Sequence, residues 1–252
     1  MQETIEKGYY FNKNELLLLL GVSGQEEIYS FPLPTKEQFD EKLFLLTLHQ
    51  LLKKGFLNLD GRLALSPETE QVLSKLRTAK LALTIVPAEE QMQKICYISK
   101  QGAVVLELLA QKALVRVAIV SKQDFLNNLF SGIGLSEPML ETEEEGLSME
   151  KHQNCFSEER QRFMEQEESA LQEDFLQWIQ RDHILSGWEI FDLRQKKSLK
   201  RLLFLEGCLN VWILDKTEED TRLCYDSLQL REEIRQFIAE RVWSAERQGD
   251  IK

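Results

Sequence analysis

The chain is 252 residues long, 43% hydrophobic and 29% charged, so it has the material for a substantial core and the composition of a globular protein of one large or two small domains. Its 42 acidic against 31 basic side chains leave a net charge of −11, which repels phosphate backbones and anionic lipid and argues against nucleic acid or membrane as partners. Three His (His49, His152, His183) and four scattered Cys (Cys96, Cys155, Cys208, Cys224), with no C-x-x-C spacing, argue against a zinc site and a disulfide framework, and no cofactor is expected.

Glu3 and Glu6 stand where a secretory leader would be basic, and the apolar run Leu16 to Leu20 is too short to span a bilayer. A cytoplasmic location is therefore expected, with the Cys acting as small buried hydrophobes.

Up to about Ala79 the chain reads as helices. Asn12 and Glu15 have capping-box spacing ahead of Leu16 to Leu20, and Thr35 and Gln38 repeat it ahead of Phe39, Leu43, Leu46, Leu51 and Leu52, one helical face that Gly55 closes. Phe56 to Leu65 alternates about Asp60-Gly61, predicting a short hairpin, and Ser66-Pro67 opens another helix.

From Leu81 the period becomes two. Leu81 to Val86, Lys94 to Ser99, Ala103 to Leu109 and Leu114 to Val120 predict strands, followed by a short helix capped by Ser121 and Asp124. Between Glu137 and Asp182 lie 14 acidic and 4 basic residues, nearly the whole net charge. The segment 137–156 is expected to be an acidic loop, and Phe163, Met164, Leu171, Phe175, Trp178 and Ile179 predict a long amphipathic helix from about Ser157 to Asp182.

A second block follows: Trp188 to Leu193, Lys200 to Leu205, Cys208 to Leu214 and Thr221 to Asp226 as strands, then a helix opened by Asp226 and Gln229 with Leu230, Ile234, Phe237, Ile238 and Val242 on one face. The strand starts of the two blocks differ by a nearly constant 105 to 107 residues. The predicted fold is α+β: two pseudo-symmetric antiparallel sheet-plus-helix units, joined edge to edge or face to face, behind an N-terminal, winged-helix-like helical region. The corresponding divisions are 1–80, 81–136, 137–156 and 157–252.

No catalytic set is legible. His183 follows Arg181-Asp182 at a helix end, where the dipole favours a cation, and His49 lies on a helix beside Gln50. Gly21-Val22-Ser23-Gly24 lacks the spacing of a nucleophile elbow, Gly132-Ile133-Gly134 follows a helix and not a strand, and Glu143 to Glu145 has no rigid frame for a metal. Lys36 to Ala79 has the outline of a winged helix, yet Lys36 to Lys80 carries eight basic against six acidic residues and few base-reading donors, so a DNA-binding regulator is the alternative and not the main expectation. A non-enzymatic protein that holds another protein fits better. Its contact residues are sought on equivalent loops after the first strand of each block: Glu89, Glu90, Gln91 and Met92, and Gln195, Lys196 and Lys197.

The leucine-rich stretch Glu15 to Leu20, the Leu51-Leu52-Lys53-Lys54-Gly55-Phe56 element with its Asp60-Gly61 turn, the helix to Ala79 and the two strand blocks together resemble the EspG-like secretion-associated chaperones of ESX (type VII) secretion systems. The resemblance covers most of the chain in layout. It implies a cytosolic chaperone that binds the tip of a secreted helical-hairpin client and keeps it soluble for export.

Overall fold

The structure, a computed structural model, describes residues 8–24, 28–31, 33–34, 39–87, 93–109, 113–130, 184–206, 211–217, 222–225 and 228–243. The predicted acidic loop 137–156 and amphipathic helix 157–182 lie outside the described residues, as do Thr35 and Gln38.

The chain opens with a strand that the sequence reading missed: β1 (Gly8–Asn12) precedes α1 (Lys13–Val22). The junction is the predicted capping box: Asn12 Oδ1 accepts from the Glu15 amide at 2.8 Å, and Glu15 Oε2 accepts from the Asn12 amide at 3.0 Å. Lys54 Nζ reaches Glu15 Oε1 at 2.6 Å, so a glutamate with no solvent exposure is satisfied on both oxygens. Helix α2 (Glu41–Lys53) begins later than expected because Asp40 caps it, its Oδ1 accepting from the Leu43 amide at 2.7 Å. Then come the predicted hairpin, β2 (Leu57–Leu59) and β3 (Leu63–Leu65), and α3 (Pro67–Arg77), capped by Ser66 with Pro67 in its first turn.

The first block is close to its prediction: β4 (Leu81–Pro87), β5 (Lys94–Ser99), β6 (Gly102–Leu109), β7 (Leu114–Val120) and α4 (Lys122–Asn127), capped by Ser121. The second holds longer strands with earlier starts, β8 (Ile184–Asp192) and β9 (Lys197–Glu206), then β10 (Val211–Asp215), β11 (Arg222–Tyr225) and α5 (Leu228–Trp243). The strand starts shift by 103 to 109 residues from Leu81, Lys94, Gly102 and Leu114, a wider spread than the sequence pattern suggested.

All strands except the β2–β3 hairpin join one nine-stranded antiparallel sheet in the order β1-β7-β6-β5-β4-β8-β9-β10-β11. The two blocks meet edge to edge at β4 and β8, paired from Leu81↔Asp192 to Pro87↔Ser186, and run outward in the same order. This pairing consumes two edges that separate halves would leave open.

Alternation along the strands divides the core between two faces. On one face Leu81, Leu83, Ile85, Trp188, Ile190, Leu202, Phe204 and Ile213 pack under α4 and under Ile234, Ile238 and Val242, a stripe at every fourth residue of α5. On the other, Ala82, Tyr97, Val104, Leu106, Val115 and Val117 pack against α1, α2, α3 and the hairpin. Each fully buried aliphatic side chain contributes about 1.5 to 3 kcal/mol, so the N-terminal helices are held by the sheet they cover. Both helices of the winged-helix-like outline are part of this cluster through Leu51, Val72, Leu73 and Leu76.

Candidate functional site: a groove across the central strands

The N-terminal cover reaches β8 through Tyr29. Its ring stacks on Phe191 of β8 with centroids 3.9 Å apart, its hydroxyl donates to Glu189 Oε2 at 3.2 Å, and its carbonyl accepts from Tyr97 Oη at 2.6 Å. Beyond it the same sheet face opens into a groove of about 440 Å³ across β4, β8 and β9.

Register builds the floor as two rows. Val86, Gly187 and Leu203 are opposed in succession across three strands, with Gly187 contributing no side chain in the middle. A Cβ placed there would stand 3.8 Å from Leu203 Cδ1, ordinary contact, so the dip follows from the missing side chain alone. Val86 is 49% exposed. The second row is polar: Thr84 opposes Glu189, and Glu189 opposes Arg201, whose Nε donates to Glu189 Oε1 at 3.2 Å. Thr84 is 7% exposed and its Oγ1 has no hydrogen-bond partner among the described residues. Burial raises the Tyr29 phenol to about 12, with the Glu189 charge and hydrogen bond adding to the effect. The groove thus pairs an apolar strip with a fixed ion pair, an arrangement that can seat an apolar segment and orient it.

Of the loop residues expected from sequence, only those of the second block fall among the described residues. Glu89, Glu90, Gln91 and Met92 lie outside the described residues, but the flanking Val86 and Gln93 both line the groove. Gln195 and Lys196 are exposed in the turn after β8, and Lys197 begins β9. Because β4 and β8 are antiparallel, this turn adjoins Leu81 while the first loop leaves from Pro87, roughly 20 Å away along the strand. The described residues that lead into the two loops, Pro87 and Asp192, therefore stand at opposite ends of the β4–β8 pair. The groove residues Thr84, Glu189 and Arg201, and Tyr29 beside them, were not singled out from sequence. Thr84 within Leu81 to Val86 was a visible signal, a polar side chain in an apolar run.

His49 is exposed on α2, and Cys96 is buried, which pushes its thiol up to about 12. No described helix is long and apolar enough to cross a membrane.

No protein-family model matches the chain, and no curated protein matches it in sequence. Among solved structures, the Mycobacterium tuberculosis type VII secretion system chaperone EspG5, determined in complex with a PE25-PPE41 dimer, is similar, with a TM-score of 0.55 and 12% identity over 94% of this chain and 97% of that one. The α+β fold of this chain, one large antiparallel sheet carrying helices on both faces, is therefore of the EspG5 kind.

Proposed function

We propose that the chain is a non-enzymatic chaperone that holds a secreted helical client of a type VII secretion system by seating the client's apolar tip in the groove across β4, β8 and β9. The observation that carries this reading is the groove itself: an apolar strip with a glycine at its centre, bordered by the Glu189–Arg201 pair, on a sheet shared with a chaperone solved with its PE25-PPE41 dimer. The apolar strip supplies affinity, and the ion pair with Tyr29 sets the client's orientation. A chaperone of this kind works in the cytoplasm, ahead of export. The mirrored strand order about β4 and β8 supports a reading of the two blocks as copies of one unit.

The test is co-expression with small helical export substrates encoded beside it, comparing the native chain with Gly187→Phe. Phenylalanine fills the dip from a position with room for a Cβ. The expected result is a stable complex with the native chain, weakened about tenfold or more by the variant at unchanged melting temperature. Equal binding by both proteins removes the groove as the site. Steep, salt-dependent binding of a DNA duplex with no retained helical client transfers the function to the winged-helix reading.

A further inference from the structure

Among the described residues, several cations that form no ion pair gather at the end of the sheet where β4 starts and β8 finishes. The backbone fixes the grouping: the Lys80 amide donates to the Ile98 carbonyl at 2.8 Å, and the Lys80 carbonyl accepts from the Leu193 amide at 2.9 Å, so the β5–β6 turn with Lys100 and the β8–β9 turn with Arg194 and Lys196 flank one residue. Lys197 starts β9 beside them.

Some basic residues here have structural work. Lys80 Nζ donates to the Val242 carbonyl in the last turn of α5, Lys122 lies 5.8 Å from the Trp243 ring centroid, and Lys75 Nζ donates to the Gln101 carbonyl. Lys100, Arg194, Lys196 and Lys197 are different: all four are exposed, and none is in an ion pair among the described residues. Elsewhere on the sheet Lys94 and Arg116 share Glu107, Lys200 meets Asp215 and Arg201 meets Glu189. The nearby Asp192 is engaged by the Arg194 and Gln195 amides, and Asp124 accepts from Ser121. Lys196 also sits at a φ of 52°, where Gly or Asn would be adopted with less strain. The mutual repulsion is felt by Lys80, whose pKa is lowered first by burial and then by Lys100 and Arg194.

We propose that this end is a second docking surface, distinct from the groove, for a carboxylate-rich segment of a partner protein. Four exposed cations on two adjacent turns match the charge of a short carboxylate-rich segment, whereas a DNA duplex needs a longer basic track. The proposal stands independently of the client in the groove.

The probe is a fluorescein-labelled oligoglutamate peptide titrated with the full chain at low salt and read by anisotropy. Saturable binding is expected, falling with added salt, falling about tenfold in the double variant Lys100→Glu/Arg194→Glu, and unchanged in Gly187→Phe. Lys196→Gly removes one cation while relaxing its backbone, so weaker binding there does not come from unfolding. The proposal is overturned if the peptide fails to bind, if the double variant binds it equally well, or if a DNA duplex or phosphatidylglycerol vesicles bind this end more tightly than the peptide does.

Discussion

Tyr29 lies flat on Phe191, 15° from parallel, and its hydroxyl bonds Glu189 two residues earlier on the same strand. One loop residue thereby joins the N-terminal helices to the first strand of the second block and holds Glu189, which lines the groove.

Tyr29→Ala removes the stack and strips Glu189 of a donor, with an expected loss of about 2 to 4 kcal/mol, whereas Tyr29→Phe keeps the stack and costs about 1 kcal/mol. Urea unfolding of the three proteins checks the order. The phenol is raised from 10.0 to about 12, so its contribution is complete below pH 10 and disappears as pH rises toward 12. Tyrosinate absorbance of the native chain minus that of Tyr29→Phe isolates this late titration.

Glu107 works in the opposite direction. Its burial would raise the carboxyl, but the Arg116 hydrogen bond and the Lys94 and Arg116 charges outweigh burial and hold it below 4.5. Its contribution is present above that value and is lost as pH falls through the lower, folded-state pKa. Glu107→Gln is expected to flatten the acid limb of a stability–pH profile measured by thermal melting.

Gly102 has a φ of 124°, and a Cβ there would meet the Val120 carbonyl oxygen at 2.5 Å. Backbone strain and a backbone clash coincide, so Gly102→Ala is expected to cost about 2 kcal/mol or more, read from the melting temperature. Gly187→Ala, with ordinary space around it, serves as the control.

Cys96 is fully enclosed, and burial keeps its thiol protonated at neutral pH. In a variant with Cys155, Cys208 and Cys224 replaced by Ser, alkylation of Cys96 is expected only at the rate of opening of the central sheet. Rapid labelling of the folded protein would contradict the packing of β5.

Local chemistry made several elements legible in the sequence. Asn12 with Glu15, Ser66 with Pro67 and Ser121 with Asp124 carry their caps within a few residues, and the alternating Val, Ile and Leu of β5, β6 and β7 give their own period. Strand β1 was not legible, because Gly8-Tyr9-Tyr10-Phe11-Asn12 becomes a strand only by pairing with β7, more than a hundred residues away. The capping box is legible in the sequence, whereas the strand before it is not. In the second block β8 and β9 start earlier than their apolar runs, since Ile184 to Gly187 are held by β4 and β9 more than by their own alternation. The groove was hidden for the same reason. Glu189 and Arg201 are twelve residues apart, and only the β8–β9 register makes them neighbours.

The sheet ends in β1 and β11, strands of five and four residues. Hydrogen-bonding capacity left at either rim is therefore small, and a wandering strand from another molecule finds only a brief template. In the proposed chaperone role such blunt margins let apolar segments be received on the broad face of the sheet without being recruited into runaway fibre growth at its borders.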